Sequence, residues 1–151
     1  IKGILKIDPG RIKEMFNLIV DKEDSIRQLV LAQMASARDP IAEEFLVSYI
    51  KKIRTTDFYA NHLMQCFRAL GKCGSARSVP FLRETLLKWG FLTGSKRVII
   101  RTGAAIALGT LGIEEADRVL DAAKSSMFSG IRKIAGNALQ ELSKEVSAID
   151  R

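Results

Sequence analysis

The sequence is poor in the residues that build catalytic and metal sites. It has a single histidine, His62, and two cysteines, Cys66 and Cys73. His62 and Cys66 stand four residues apart, but a structural zinc site needs four ligands and the chain lacks enough histidine or cysteine to complete one. No Gly-rich phosphate loop is present, and no Ser/His/Asp or Cys/His set can be traced beyond this pair. We therefore expect a non-enzymatic chain with no metal and no cofactor, and interpret His62 as a buried imidazole.

The two cysteines are spaced too far apart to pair. Cys66 and Cys73 are seven residues apart on one predicted helix, which separates them by about 10 Å along the helix axis. A disulfide requires closer Cα atoms. We expect two buried free thiols, which suit a reducing, cytoplasmic location.

The sequence also lacks a long apolar run and an initiator methionine. The longest uncharged run near its centre, residues 102–113, has 12 residues, well short of the ~20 that span a bilayer. We therefore expect no membrane insertion by this chain. It begins Ile-Lys-Gly without a charged and then apolar leader, so we interpret it as a piece of a longer protein, with residues 1–7 ending a preceding structural unit.

What the sequence does contain is a recurring helical frame. The frame is clearest in residues 101–112, where small residues and leucines follow a helical spacing. Equivalent positions to Leu108 fall at Met34, Leu70 and Leu139, at separations of 36, 38 and 31 residues. Three of the four units carry an Ile-Arg pair before this anchor, with the arginine at Arg27, Arg101 and Arg132. Spacings of this size are typical of stacked repeats, whose units bury apolar faces on one another.

The Ile-Arg pair, the small residues and an Ala-Leu-Gly triplet followed by a second glycine resemble the HEAT-like repeats of bacterial proteins, with the phycobilisome lyase-type repeat as the nearest variant. Gly71 and Gly74 match this pattern in the second unit, and Gly109 and Gly112 match it in the third. The first and last units lack the triplet's glycine. The resemblance covers about residues 10–143. It implies a single all-α domain over residues 1–151, a right-handed superhelix (solenoid) of about four helical hairpins.

Capping signals predict about eight helices and no strand. Asp8 and Asp39, each followed by proline, predict two helix starts. Glu43 follows in the first turn after Asp39, where the helix dipole favours negative charge. Ser78 is predicted to cap another helix. Further starts are predicted at Asp24 or Ser25, Thr56 or Asp57, Ser95, Glu114 and Gly130.

The recurring arginine has two interpretations. In similar HEAT-like repeats it bonds to an aspartate six residues earlier and forms a ladder between units. Asp21 and Arg27 keep both members here, and a half-buried guanidinium needs acceptors, so we interpret Arg27 as structural. Arg101 and Arg132 have serines in the aspartate position, which leaves them available to a ligand.

Positive charge is concentrated in the middle of the chain. Residues 56–110 carry eight Lys or Arg against two Asp or Glu, and so hold +6 of the formal net charge of +7. A solvated face that serves solubility is one explanation, and a binding surface for acidic groups is the other. In similar repeats the second helices line the concave side, so the resemblance implies a single basic groove. Its candidate residues are Arg68, Lys72, Lys96, Arg97, Arg101, Arg132 and Lys133.

A second candidate contact is the connection over residues 90–94. Phe91 and Leu92 fall outside the repeat frame there, and exposed apolar loop residues often mark contact sites. Folding back onto the preceding helix is the alternative.

These observations predict a non-catalytic protein–protein interaction or scaffold module within a larger bacterial-type protein. It would bind an acidic partner protein through the basic concave surface. A solenoid that binds nucleic acid or phosphate groups is the alternative. Single-strand binders expose aromatic side chains among basic residues, whereas most aromatics here fall at predicted core positions, which favours the protein partner.

Overall fold

The computed structural model describes residues 24–53, 60–88 and 94–149, together with Glu14, and this part of the chain is all-α, as predicted. Its helices are α1 (Asp24–Ala37), α2 (Pro40–Lys52), α3 (Ala60–Cys73), α4 (Val79–Leu87), α5 (Ser95–Leu111), α6 (Glu114–Lys124) and α7 (Ser129–Ile149), with a short 3-10 helix (Ala76–Ser78) before α4. No strand occurs in these residues. The helices predicted to start at Asp8 and at Thr56 or Asp57 have those starts outside the described residues.

The helices alternate between two layers. Helices α1, α3, α5 and α7 pack side by side in one layer, and α2, α4 and α6 pack against that layer. The described chain therefore forms successive pairs, α2 with α3, α4 with α5, and α6 with α7. Each pair buries the apolar faces of its neighbours.

The residues that anchor the sequence frame form the centre of the first layer. Met34, Leu70 and Leu108 are fully buried, which confirms the expected core face. Leu139 is only half-buried, since no described helix covers the outer side of α7.

Helices α3 and α5 approach each other closely because glycines line their contact. A Cβ added at Gly103 would lie 2.2 Å from the ring of Phe67, which is itself fully buried. A Cβ added at Gly71 would lie 2.9 Å from the carbonyl oxygen of Ala107. Neither distance leaves room for a methyl group, so close packing requires these two glycines.

Two turns in the first layer use the left-handed backbone region. Gly112 ends α5 with a φ of 59°, and Arg38, directly after α1, has a φ of 48°. Both stand four residues after their anchors, Leu108 and Met34. Glycine adopts this conformation without steric cost, whereas a side chain at the same position crowds the backbone.

The helix starts predicted at Asp39 and Ser78 are both confirmed, but only Asp39 caps its helix through its side chain. The Asp39 carboxylate accepts a hydrogen bond from the Ile41 backbone N–H at 2.8 Å. Ser78 precedes α4, but its side chain makes no capping hydrogen bond. Its backbone is already helical, with φ −79° and ψ −19°, whereas a capping residue is usually extended. Its hydroxyl donates to the Glu43 carboxylate at 2.5 Å.

Candidate binding groove

The predicted basic surface is interrupted at Arg68, whose charge is matched within the chain. Arg68 of α3 forms ion pairs with Glu141 and Glu145 of α7, the second at 2.8 Å. Because α5 lies between α3 and α7 in the layer, these ion pairs reach across α5. With two carboxylates beside it, Arg68 does not extend a positively charged surface in the way the sequence led us to expect.

Arg101 and Arg132, which we expected to be available to a ligand, donate to backbone carbonyls instead. The Arg101 guanidinium donates to the carbonyl oxygen of Lys88, just after α4, at 3.2 Å. The Arg132 guanidinium donates to the carbonyl oxygens of Ser126 and Met127, just after α6, at 2.6 and 3.2 Å. Backbone carbonyls in the connections between helices are outside the helical hydrogen-bond pattern and need other donors. The two arginines therefore meet the same structural need in successive units.

The remaining candidate residues of the predicted groove lie near Arg101 and Arg132 and far from Lys72. Lys96 and Arg97 are in the first turn of α5, and Lys133 is in the second turn of α7. Burial and the neighbouring charge of Arg97 both lower the pKa of Arg101, so these two guanidiniums are close together. Lys72, in contrast, lies beside the other end of α5. The single groove predicted from the sequence is thus divided into two separate basic regions.

Lys72 lines a groove at the end of the layer where α1, α3 and α5 finish. The groove has a volume of about 820 Å³. Arg38, from the turn after α1, and Arg77, from the 3-10 helix, also line it. Leu111 and Ile113 add apolar surface. Three separate segments of the chain therefore each bring one cation to the same groove.

The three groove cations are exposed, and their side chains form no ion pair or hydrogen bond within the described part of the chain. Glu43 is the one carboxylate among the described residues that line the groove. Three positive charges and one negative charge leave the groove positive. A positive groove with apolar surface is suited to an anionic ligand that also has an apolar part.

Glu43 is a buried carboxylate that joins two units of the array. It accepts hydrogen bonds from the Ser75 backbone N–H at 3.0 Å, from the Ser75 hydroxyl at 2.9 Å and from the Ser78 hydroxyl at 2.5 Å. Burial alone would raise the pKa of Glu43, but the hydrogen bonds from Ser78 and Ser75, with the charge of Arg77, lower it overall. Glu43 is therefore ionised at neutral pH and ties α2 to the turn that follows α3.

His62 lies outside this groove and is buried, as expected, with 4% of its surface exposed. Its Nε2 atom lies 2.9 Å from the Tyr49 hydroxyl, and the two rings pack edge to face. Burial and the charge of Arg27 lower the pKa of His62, which favours a neutral imidazole. These contacts give His62 a structural role between α2 and α3.

The remaining candidates add no second site in the part of the chain that is described. Cys66 and Cys73 are buried free thiols, as predicted. Within residues 24–53, 60–88 and 94–149, no three His, Cys, Asp or Glu side chains gather as they would around a metal ion. In the same residues no helix has both the length and the apolar character of a membrane span. Phe91 and Leu92 lie outside the described residues.

No protein family model matches this sequence, and a search of curated proteins finds no match.

Sequence reasoning identified only Lys72 among the three groove cations. Arg38 could have been found, because it stands where the third unit has Gly112 in the repeat frame. Arg77 lies in a 3-10 turn that no periodicity predicts. The bonds from Ser75 and Ser78 to Glu43 span 32 and 35 residues, so no local pattern indicates them.

Proposed function

We propose that this chain is a protein-interaction module that binds an acidic segment of a partner protein in the groove lined by Arg38, Lys72 and Arg77. One observation carries the proposal: three cations from three segments meet at one groove, without an ion-pair partner in the described residues. The two layers of paired helices support a HEAT-like solenoid of about four helical hairpins as the framework. In this proposal the chain acts as a scaffold within a larger protein and not as an enzyme.

Acidic side chains of a partner would gain charge-assisted hydrogen bonds in the groove. Arg38 and Arg77 each offer a planar fork that can hold a carboxylate through two parallel bonds, and Lys72 adds a point charge. An exposed ion pair alone contributes less than about 1 kcal/mol. Measurable affinity therefore needs the three cations together, with apolar contact from Leu111 and Ile113. A peptide with an apolar residue between its carboxylates matches this combination.

The described residues of the groove include no aromatic side chain on which a base could stack, which favours a protein partner over a nucleic acid. Of the described aromatic side chains, Phe45, Tyr49 and Phe67 are buried, Phe81 is half-buried and Phe128 is exposed. None of them lines the groove. Base stacking on exposed aromatics contributes about 1–3 kcal/mol per base in single-strand binders. The groove lacks that contribution in the described residues.

Fluorescence anisotropy with a labelled peptide of alternating glutamate and leucine tests the proposal. A peptide of glutamine and leucine is the uncharged control. The double variant Lys72→Glu/Arg77→Glu should weaken binding at least about tenfold, which is ~1.4 kcal/mol. Because Arg77→Glu places a carboxylate near the buried Glu43, the double variant Lys72→Gln/Arg77→Gln is measured beside it; this variant adds no negative charge and should also lose binding, with little change in Tm, since both side chains are exposed. Binding should also weaken as ionic strength rises to the physiological value.

The double variant Lys96→Glu/Lys133→Glu is the matched control, since it reverses two exposed lysines outside the groove. It should change the affinity at most about twofold at physiological salt. Equal losses in both double variants would assign the effect to overall charge and contradict the proposal, as would unchanged affinity in the groove variant. Tighter binding of single-stranded DNA than of the acidic peptide would favour the nucleic-acid alternative. Arg68 is unsuitable for reversal, because glutamate there would face two carboxylates.

A further inference from the structure

The turn after α1 holds Arg38 in a backbone conformation that arginine seldom adopts. Its φ of 48° lies in the left-handed region, where a Cβ atom crowds the following carbonyl. At the equivalent position of the third unit, Gly112 has a φ of 59°, and the missing Cβ removes that crowding. Arginine therefore makes this turn less stable than glycine would.

No hydrogen bond or ion pair of the Arg38 side chain offsets this cost within the described residues. This side chain is exposed. The cap of α2 comes from the neighbouring Asp39 instead. Strained residues tend to persist at functional sites, and Arg38 lines the groove beside Lys72 and Arg77.

The groove has two guanidinium groups, those of Arg38 and Arg77, each of which can act as a planar fork, and their surroundings differ. Arg77 lies near Glu43, with which it interacts electrostatically, so part of its field is already opposed by a carboxylate. Lys72 provides a point charge without a fork. Arg38 is left as the fork best able to receive a carboxylate from outside.

We propose that Arg38 is the anchor of the groove and selects a ligand that presents a side-chain carboxylate, which it binds through two parallel hydrogen bonds. This inference rests on the proposed function and adds to it the residue that sets the ligand class. The chain accepts a strained turn at this position because glycine, although more stable there, could not hold the ligand.

The substitution Arg38→Gly tests this directly, because it removes the strain and the guanidinium together. Relief of crowding should outweigh the greater freedom of unfolded glycine and raise Tm by about 1–3 °C. Affinity for the labelled glutamate–leucine peptide should fall at least about fivefold. Arg38→Lys keeps the strain and the charge but loses the fork, so it should leave Tm unchanged and give an intermediate affinity.

The control variant is Arg83→Ala, which removes one exposed positive charge from α4, outside the groove. It should change the affinity less than about twofold. A lower Tm for Arg38→Gly, or an unchanged affinity, would overturn the inference about Arg38. An Arg38→Lys variant that binds as tightly as the original chain would show that charge suffices without a fork, which also overturns it.

The role of the groove and the role of Arg38 within it are tested by different variants. If Lys72→Glu/Arg77→Glu loses binding while Arg38→Gly retains it, the groove binds acidic peptides but Arg38 is not its anchor. If neither variant loses binding, the proposed function itself is wrong.

Discussion

Replacing Glu43 with alanine should destabilise the protein more than any exposed acidic substitution. The Glu43 carboxylate is 5% exposed, and it accepts three hydrogen bonds from Ser75 and Ser78. These bonds connect α2 with the turn between α3 and α4. Their loss would separate two neighbouring units at the point where the groove lies.

The size of the effect follows from what would be left without a partner. Ser78 is 1% exposed, so its hydroxyl could not turn to water after Glu43→Ala, and an unsatisfied buried donor costs about 1–3 kcal/mol. Ser75 is exposed, so water can replace part of its bonding. Removal of the buried charge itself offsets some of the loss. A net loss of about 1–3 kcal/mol is expected, because the partial loss at Ser75 and the offset from the removed charge act in opposite directions.

Urea unfolding followed by circular dichroism measures this loss, with Glu44→Ala as the control. Glu44 is the next residue of α2 and is exposed, so its removal should change the free energy of unfolding by less than about 0.5 kcal/mol. A loss of less than about 0.5 kcal/mol for Glu43→Ala would refute the reasoning, because it would show that the hydrogen bonds only balance the desolvation of the carboxylate.

The same carboxylate should make stability depend on acid. Burial would raise the pKa of Glu43, but the hydrogen bonds from Ser78 and Ser75 lower it below its ordinary value of 4.5. When the pKa of a carboxyl group is lower in the folded than in the unfolded protein, its ionised form stabilises the fold. This stabilisation is complete at pH values above the pKa of the unfolded state, and it is lost as the pH falls through the pKa of the folded state. Glu43→Gln should therefore unfold with a weaker pH dependence below 4.5. Parallel curves for the variant and the original chain in that range would contradict the assignment.

Three other perturbations test the packing and the thiols. Gly103→Ala should lower the free energy of unfolding by about 1–3 kcal/mol despite alanine's higher helix propensity, because the new Cβ would lie 2.2 Å from the Phe67 ring. A higher Tm would instead show that the helices can move apart. Arg101→Met should cost about 1–2 kcal/mol in urea unfolding, as a carbonyl after α4 loses its donor, and should leave acidic-peptide binding unchanged. Cys66 and Cys73 should resist iodoacetamide at about pH 8 until the protein unfolds, because burial raises the pKa values of their thiols to about 12 and about 11. Rapid labelling of the native protein would contradict this.

The helices and their buried anchors could be predicted because both depend on local spacing. Met34, Leu70 and Leu108 recur at intervals that mark one position of a repeated unit, and each is fully buried. The cap at Asp39 was also predictable, since its carboxylate bonds to a backbone N–H only two residues away. Such features follow from the helical period and from residue preferences at helix ends.

The ion pairs of Arg68 could not be predicted from local sequence patterns, because they depend on the distance between α3 and α7 across α5. Its carboxylate partners are 73 and 77 residues later in the chain. Glycines of α5 face both neighbouring helices: Gly103 faces Phe67 of α3, and Gly109 faces Leu142 of α7. The small residues were visible in the sequence, but the charge pair that their close packing permits was not.

The recurring arginines and the groove cations have different roles, and they occupy different positions of the repeat frame. Arg101 and Arg132 share one frame position, and each donates to carbonyls that follow the preceding helix, so that position is structural. The groove cations stand at positions that do not recur. The residues two after each anchor are Ser36, Lys72, Thr110 and Glu141, and the residues four after it are Arg38, Gly74, Gly112 and Ser143. Because stacking requires no cation at these positions, they can change without altering the fold. We therefore expect ligand binding where this chain departs from its own frame, and at Arg38 above all.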